Sequence, residues 1–246
     1  MRQWIIILIF LFGCEKSRNV DQQTIQPTNK ESTSGAQRLT SDSVSIYLPP
    51  DIFLERINSY DSSRFLTIEL VLPKTDTKQL QHAFGLLTSI IEKEKNNFID
   101  TIEPDERMSE AASGNHFGVY PNELYKDDKI LSFLFVISYY NAGAAHPFSM
   151  YYTFNYNIQD QRQIRFEDFF TFKSNRDKED LIKLINLGFE DESIKVDKFY
   201  DFDFNINAST VTFNFDNYEV ASYAFGLQRA TINRNQIENY INSIYR

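Results

Sequence analysis

The sequence predicts a mixed α+β fold, in which helices pack on a mainly antiparallel β-sheet and two sub-lobes form one compact body. The chain has 246 residues, and 42% of them are hydrophobic, which is enough to bury a sizeable core. Its 22 Phe and 14 Tyr residues cluster in runs that alternate apolar and polar side chains, the pattern of half-buried strands. Two long strand-like runs, 130–141 and 148–158, flank a corner of small residues at 142–147, and the predicted sheet is organised around them.

The first 14 residues predict a bacterial lipoprotein signal peptide that ends at a lipidated Cys14. Arg2 supplies a positive start, and the apolar run 4–12 that follows is too short to span a bilayer. Leu11-Phe12-Gly13-Cys14 resembles a lipobox, in which the thiol receives a lipid and becomes the mature N-terminus. Cys14 is the only cysteine, which excludes an internal disulfide. The alternative is an ordinary signal peptide that happens to end in cysteine.

Residues 15–42 are polar and lack aromatic side chains, so they predict a flexible tether between the anchor and the domain. Glu15 follows the predicted lipidated cysteine at the position where Asp favours retention in the inner membrane. The predicted location is therefore the bacterial cell envelope, as a membrane lipoprotein, and the outer membrane if the cell is Gram-negative.

The charge of the chain restricts its partners. The formal net charge is -9, and cleavage of the signal peptide would remove Arg2 and make it -10, because Arg2 carries one positive charge. Nucleic-acid binding requires a basic face, so this balance argues against it. It favours a cationic partner.

Residues 43–125 are predicted to form an N-terminal α/β half. Alternating apolar residues at 44–48 and at 65–72 predict two strands, each stopped by proline. Asp76 is expected to cap a helix, whose apolar stripe has spacings of three, four and seven residues: Leu80, Phe84, Leu87, Ile91 and Phe98. Residues 117–120 predict a short strand, and residues 125–129 predict a polar turn.

Residues 126–246 are predicted to form the C-terminal half. After the central pair of strands, residues 162–166 predict a short strand, and Asp168 is expected to cap a turn. Ser174 or Asn175 is expected to cap a second helix that ends at Gly188, with an apolar face of Leu181, Ile182, Leu184, Ile185 and Leu187. Alternating runs at 202–206 and 211–215 predict a hairpin, followed by a loop, a last strand near 229–232 and a short helix.

Three motifs in this half resemble one known family. The first comprises Ile130-Leu131-Ser132-Phe133 and Tyr140-Asn141-Ala142-Gly143-Ala144-Ala145-His146-Pro147. The second is Gln163-Ile164-Arg165-Phe166-Glu167-Asp168-Phe169-Phe170. The third is Phe213-Asn214-Phe215-Asp216-Asn217-Tyr218-Glu219-Val220-Ala221-Ser222-Tyr223-Ala224-Phe225-Gly226. They are similar to motifs of the extracellular domain of the RsiV-type anti-sigma factor, a lysozyme receptor, whose paired domains of unknown function also precede the catalytic domain of some peptidoglycan deacetylases.

The resemblance runs from about residue 44 to the end, and it implies a partner class, a lysozyme-like protein or peptidoglycan. Ala142 and Ala144 stand where the family often has Gly, and Asn217 stands where Pro is usual. We expect neither the anti-sigma nor the deacetylase activity of those relatives, because neither of the segments that carry them occurs within this sequence.

The family motifs and the predicted loops supply the candidate site residues. The candidate binding residues are Tyr140, Asn141, His146, Asn217, Tyr218 and Tyr223. The expected structural residues of the corner and the loop are Gly143, Pro147 and Gly226.

The histidines give no complete catalytic or metal-binding set. We expect His146 to fix the turn before Pro147, and the alternative is a ligand or general base. His82 is expected on the polar side of the first helix and His116 in a loop, so three scattered histidines argue against a metal site. No cofactor is expected.

Three functions stay open at this point. The first is a lipid-anchored envelope module that binds a lysozyme-like protein or peptidoglycan. The second is an enzyme that modifies envelope glycans through His146 and a nearby carboxylate, and the third is a structural envelope lipoprotein without a soluble ligand. A cleft lined by His146 and two acids would favour the enzyme, whereas an exposed tyrosine-rich patch without such a cleft would favour the binding module.

Overall fold

The computed structural model describes residues 39–41, 44–102 and 114–246. Cys14 and the predicted tether up to residue 38 lie outside the described residues, so the lipid anchor stays a prediction. The fold is mixed α+β with mostly antiparallel strands, which confirms the predicted fold class. Among the described residues, no helix has the length and apolar character needed to cross a bilayer.

The strands and helices succeed one another along the chain in three groups. The first are β1 (Leu39–Ser41), β2 (Val44–Ile46), β3 (Phe53–Asp61), β4 (Leu66–Lys74), α1 (Lys78–Asp100) and β5 (Asn115–Lys126). They are followed by β6 (Ile130–Tyr140), β7 (Phe148–Asn157), β8 (Arg162–Gln163), α2 (Phe166–Phe169) and α3 (Asn175–Gly188). The last are β9 (Asp203–Ile206), β10 (Thr210–Phe215), β11 (Gln228–Asn233) and α4 (Arg234–Ile237), with short 3-10 turns at Tyr223–Phe225, Glu238–Tyr240 and Ser243–Tyr245.

Two sheets carry most of the fold. The larger has six strands in the order β3-β4-β5-β6-β7-β8, and its β4–β5 pair is parallel while its other pairs are antiparallel. A parallel pair needs a long crossover connection, and α1 supplies it. The smaller sheet is antiparallel in the order β11-β10-β9. A separate pair is formed by β1 and β2, and the residues of β1 belong to the segment that was predicted as the tether.

The described residues form two hydrophobic cores, and the first contains residues of β6 and β7, such as Phe133 and Phe154, which lie in the predicted C-terminal half. In the first core, α1 buries the stripe that its spacing predicts, Leu80, Phe84, Leu87, Ile91 and Phe98. The second core is formed by residues of β9, β10, β11, α2, α3 and the C-terminal segment, and it is rich in Phe. The predicted division between residues 125 and 126 falls at the end of β5, which pairs with β6, so the larger sheet continues across it.

Several predicted boundaries in the first lobe are wrong. Thr77, not Asp76, is the N-cap of α1, and its side chain makes no capping hydrogen bond. β5 is much longer than the predicted strand 117–120, and it contains His116, which was expected in a loop. The following turn begins at Asp127, because its Oδ1 accepts the backbone N–H groups of Lys129 and Ile130.

The second helix begins and ends as the sequence predicts. Ser174 is the N-cap of α3, since its hydroxyl accepts from the Asp177 N–H while the Asp177 carboxylate accepts from the Ser174 N–H. Gly188 is the last helical residue, and a Cβ there would lie 2.8 Å from the carbonyl oxygen of Thr231 in β11. The close approach of helix and sheet therefore requires glycine.

Two details of the second lobe differ from the prediction. Leu187 was assigned to the apolar face of α3, but its side chain is 81% exposed. Residues Phe166–Phe169 form the short helix α2, not the end of a strand, because the Asp168 carboxylate accepts the Arg165 N–H at 3.0 Å and caps the first turn. Phe166 and Phe169 are buried, as expected.

Candidate binding surface

The corner between β6 and β7 is held by its own backbone and by a neighbouring amide. The Ala144 N–H donates to the carbonyl oxygen of Asn141 at 2.9 Å, and the Asn115 Oδ1 accepts from the Ala142 N–H at 2.8 Å. Gly143 has a φ of +87°, which disfavours any other residue. The corner is not crowded, because a Cβ at Gly143 would meet nothing within 4 Å. Gly143 is therefore needed for its backbone angle and not for space.

The loop after β10 is attached to the outer edge of β7 by two side chains. The Asp216 Oδ1 accepts from the Tyr151 N–H at 2.7 Å, and the Asn217 Oδ1 accepts from the Ser149 N–H at 3.1 Å. These N–H groups lie on the part of β7 that β8 does not cover, since β8 pairs only near the far end of β7. Asn217, a candidate binding residue, is only 7% exposed, so its side chain positions the loop.

Three aromatic side chains from the corner and the loop meet at the surface. The His146 ring stacks on the Tyr223 ring with centroids 3.7 Å apart and an interplanar angle of 23°. The Tyr218 hydroxyl lies 3.4 Å from the Nε2 of His146, and its ring centroid lies 5.7 Å from that of Tyr223. The Tyr223 hydroxyl donates to the carbonyl oxygen of Pro147 at 2.8 Å, which attaches the loop to the corner. His146, Tyr218 and Tyr223 are called the aromatic surface below.

The remaining predicted site residues hold the corner and close the loop. The Tyr140 hydroxyl donates to the carbonyl oxygen of Ala144 at 3.1 Å. This bond crosses the turn in which the carbonyl oxygen of Asn141 accepts the Ala144 N–H. Gly226 ends the 3-10 turn of the loop with a φ of 69° and a ψ of -160°, a region that is open essentially to glycine alone. The structure thus brings together three of the six candidate binding residues and uses the others as supports.

Tyr218 has an unusual backbone for an exposed aromatic residue. Its φ is +71°, which is rare for a bulky residue, and its side chain is 57% exposed. Such a conformation costs about 1–3 kcal/mol, and burial of the ring does not offset that cost. Backbone strain of this kind persists only where the surrounding structure maintains it, and it clusters at binding and catalytic sites.

The loop that carries Tyr218 is also acidic. The Glu219 Oε2 accepts from the Asp216 N–H at 2.7 Å, and its Oε1 accepts from the Tyr200 hydroxyl. Burial raises the pKa of Asp216 to about 6, the nearby Glu219 and Asp203 carboxylates add to the rise, and the hydrogen bond from the Tyr151 N–H opposes it. Burial and the hydrogen bond to Glu219 also raise the pKa of Tyr200. The surface next to Tyr218 therefore carries negative charge at neutral pH.

Among the residues that the structure describes, no carboxylate contacts His146 as a partner for acid–base chemistry. Its Nδ1 lies 3.1 Å from the carbonyl oxygen of Pro147, and its other contacts are to Tyr218 and Tyr223. Three clefts on the described surface are each lined by residues other than His146. His82 pairs with the Tyr156 hydroxyl at 2.6 Å, and His116 lies 4.0 Å from Glu69. Within the described ranges, no three His, Cys, Asp or Glu residues are grouped to hold a metal ion.

Four buried polar side chains between the two sheets were not predicted, and they are called the polar seam below: Ser132, Asn155, Asn205 and Asn214. The Ser132 hydroxyl donates to the Asn155 Oδ1 at 2.6 Å and accepts from the Asn205 amide at 3.1 Å. The Asn214 amide donates to the Asn205 Oδ1 at 2.8 Å.

The polar seam also binds the backbone of both sheets. The Asn205 amide donates to the carbonyl oxygen of Phe133 in β6, and the Asn155 amide donates to that of Phe204 in β9. The seam thereby fixes β9 and β10 against β6 and β7, and it determines where the Tyr218 loop lies. The sequence gives a usable signal only for Ser132, a single polar side chain inside an apolar run. Asn155, Asn205 and Asn214 lie in runs that alternate with other polar residues, so they look like the solvent face of a strand.

The backbone is similar to two solved structures described as DUF3298 family proteins. One, from Bacteroides fragilis NCTC 9343, has 17% sequence identity and a TM-score of 0.56, with 78% of this chain and 94% of that chain covered. The other, from Pseudomonas aeruginosa PAO1, has 13% identity and a TM-score of 0.53, with 78% of this chain and 95% of that chain covered. No protein-family model and no curated protein matches the sequence. The likeness shows a fold shared with a family of domains of unknown function.

Proposed function

We propose that this chain is a lipid-anchored binding module of the bacterial cell envelope, and that its aromatic surface binds a lysozyme-like protein. The observation that carries the proposal is Tyr218, which keeps a strained backbone while its ring stays 57% exposed. Tyrosine is frequent at interface centres, since it offers a large and fairly rigid contact with one polar tip. His146 and Tyr223 support the ring from one side.

Charge supports a cationic partner for the same surface. Glu219 is exposed beside Tyr218, and the predicted mature chain has a formal charge of -10 once Arg2 is removed from the total of -9. Lysozymes are typically cationic, so the two proteins would attract each other over a distance of about one Debye length, roughly 8–10 Å. Added salt should therefore lower the association rate more than it raises the dissociation rate.

The resemblance to the RsiV-type extracellular domain supports the choice of lysozyme. Tyr218 and Tyr223 belong to the third family motif and His146 to the first, and these two motifs form the aromatic surface. The enzyme alternative has less support, because no carboxylate of the described chain is among the contacts of His146.

A titration tests the binding proposal. The chain from residue 15 onward is titrated with a panel of purified lysozymes by calorimetry, and we expect micromolar or tighter binding to a cationic member. Tyr218→Ala should weaken binding by about 1–3 kcal/mol. Tyr60→Ala is the matched control, because Tyr60 is equally exposed (61%) but lies on β3, an edge strand of the larger sheet. Absence of binding to every lysozyme at micromolar concentration removes the proposal, and Tyr218-dependent binding to purified peptidoglycan would reassign the partner.

A separate experiment tests the anchor. Cys14→Ser should move the protein from the membrane to the soluble envelope fraction, because the thiol that would receive the lipid is gone. Arg2 and the apolar run 4–12 are unchanged in this variant, so export is retained. A variant that still partitions into detergent with the membrane would show that Cys14 is not the anchor.

A further inference from the structure

A cleft of about 220 Å³ lies where the β5–β6 ladder faces the β9–β10 hairpin. Its walls include Tyr47, Asn122, Glu123, Ser132, Asn205 and Asn207. None of these residues belongs to the aromatic surface, so the cleft is a separate feature of the molecule. Its residues come from strands or from positions next to strands, which makes the cleft a preformed site.

The cleft coincides with an irregularity in the larger sheet. The register between β5 and β6 shifts between Pro121 and Glu123, which leaves Asn122 as the extra residue of a β-bulge. A bulge redirects the side chains around it, and bulges recur next to functional sites. Asn122 is half-buried, and its side chain has no hydrogen-bond partner in the described part of the chain.

The wall residues divide into a satisfied set and an open set. Ser132 and Asn205 belong to the polar seam, and their side chains are fully engaged in it, so they form a rigid back wall. Tyr47, Asn122 and Asn207 keep polar groups without a partner among the described residues, since Asn207 uses only its Oδ1, toward the Ala208 N–H. The cleft therefore presents spare donors and acceptors against a fixed wall.

Glu123 is the charged side chain of the cleft wall, and Arg229, which lies outside that wall, neutralises it. Glu123 receives a hydrogen bond from the guanidinium of Arg229 at 2.7 Å, and the same Arg229 donates to the Asn214 Oδ1 at 3.2 Å. One carboxylate and one guanidinium leave no net charge for an ionic ligand. Amide groups and a carboxylate oxygen instead suit hydroxyl groups, which both donate and accept. The ring of Tyr47, which is 70% exposed, adds an aromatic face at the rim.

We propose that this cleft binds one neutral sugar residue. A polyhydroxylated ring has the alternating donors and acceptors that the open set can pair, and its C–H faces can pack on the Tyr47 ring. The cleft is smaller than the about 300–1,000 Å³ of typical ligand pockets, so one ring fits it better than an oligosaccharide. The inference does not rest on lysozyme binding, because it uses different residues.

Titration followed by NMR tests the inference on the isotope-labelled chain from residue 15 onward. The probes are glucose and N-acetylglucosamine, and sorbitol, the linear reduced form of glucose, is the control, because it is rich in hydroxyl groups but has no ring. We expect saturable shifts of the Asn122 and Asn207 side-chain amides with a Kd on the order of 1 mM, as small ligands with few contacts bind weakly. Asn122→Ala should weaken binding by about tenfold, because the amide loses its hydrogen bonds to the sugar.

Control variants make the result decisive. Asn58→Ala removes an exposed amide from β3 and should leave sugar binding unchanged, and so should Tyr218→Ala. Unfolding by urea confirms that Asn122→Ala is folded, as expected for a side chain without internal partners. Equal shifts with sorbitol, no saturable shifts at tens of millimolar sugar, or sugar binding that is lost in Tyr218→Ala but kept in Asn122→Ala would each overturn the inference.

Discussion

The polar seam and the aromatic surface arise at the same junction of two sheets, yet they differ in how their polar groups are used. In the seam, Ser132, Asn155, Asn205 and Asn214 are at most 5% exposed, and each pairs with another seam residue. On the aromatic surface, Tyr218 is largely exposed, holds a strained φ and makes one long polar contact. Side chains that are already satisfied internally therefore position the junction, whereas those left open are available to a partner.

Breaking the seam should have the largest effect. Asn205→Ala removes hydrogen bonds to Ser132, to the Phe133 carbonyl and from the Asn214 amide, and it leaves buried polar groups unpaired. We expect the free energy of unfolding to fall by about 2–4 kcal/mol, measured by urea denaturation. Asn58→Ala on β3 is the control, and it should change stability by less than about 0.5 kcal/mol. Equal effects of the two variants would show that the seam does not hold the junction.

The corner should give a smaller effect that comes from the backbone alone. Gly143→Val places a β-branched residue at a φ of +87°, which we expect to cost about 1–3 kcal/mol in thermal or urea unfolding. No neighbouring atom would clash with a Cβ there, so Gly143→Ala should cost less than the valine variant. A midpoint that is unchanged in both variants would show that the corner adjusts freely.

A pH series separates the acidic loop from the seam. Asp216 has a pKa of about 6 in the folded protein and 3.8 as a reference value, so the folded state binds the proton more tightly. This contribution to stability is fully present below about pH 3.8 and is lost as the pH rises through about 6. Between about pH 5 and pH 7, the unfolding free energy of the wild type should fall as Asp216 loses its proton. The unfolding free energy of Asp216→Asn should fall by about 1 kcal/mol less, because this variant lacks the carboxyl group. The same pH dependence in both proteins would contradict the assignment.

The strain at Tyr218 should give the smallest effect. Tyr218→Gly and Tyr218→Ala both remove the ring, but only glycine accepts a φ of +71° without strain. We therefore expect the glycine variant to be more stable than the alanine variant by about 0.5–1 kcal/mol, after the greater freedom of glycine in the unfolded chain is allowed for. If the alanine variant is the more stable one, the loop relaxes and the strain is not held by the fold.

The regular elements could be predicted from local patterns. The β6–β7 pair, the β9–β10 hairpin and the stripe of α1 follow from periods of two and of about 3.6 residues. β3 could not be predicted in this way, because it is an edge strand whose side chains are mostly exposed and lack alternation. No local sequence pattern predicts the bulge at Asn122 either, since the bulge depends on how β5 pairs with β6.

The candidate site was predicted only in part. His146, Tyr218 and Tyr223 were identified as candidates from family motifs, but 72 residues separate His146 from Tyr218, and no local pattern indicates that the two side chains meet. Their meeting depends on Asp216, on Asn217 and on the seam, which together attach the loop to β7. Asn217 was predicted as a contact residue because it belongs to the third family motif, in the loop after the hairpin, whereas its side chain accepts from the Ser149 N–H and is buried.

One crossed measurement tests the central claim that the seam positions the junction while the aromatic surface is left open for a partner. The free energy of unfolding and the Kd for a cationic lysozyme are measured for the wild type, Asn205→Ala and Tyr218→Ala. We expect Tyr218→Ala to weaken binding by about tenfold or more and to change stability by less than about 1 kcal/mol. We expect Asn205→Ala to lower stability by about 2–4 kcal/mol and to weaken binding less than Tyr218→Ala does, because Asp216 and Asn217 still attach the loop to β7. A Tyr218→Ala variant that loses stability but keeps the wild-type Kd would contradict the account.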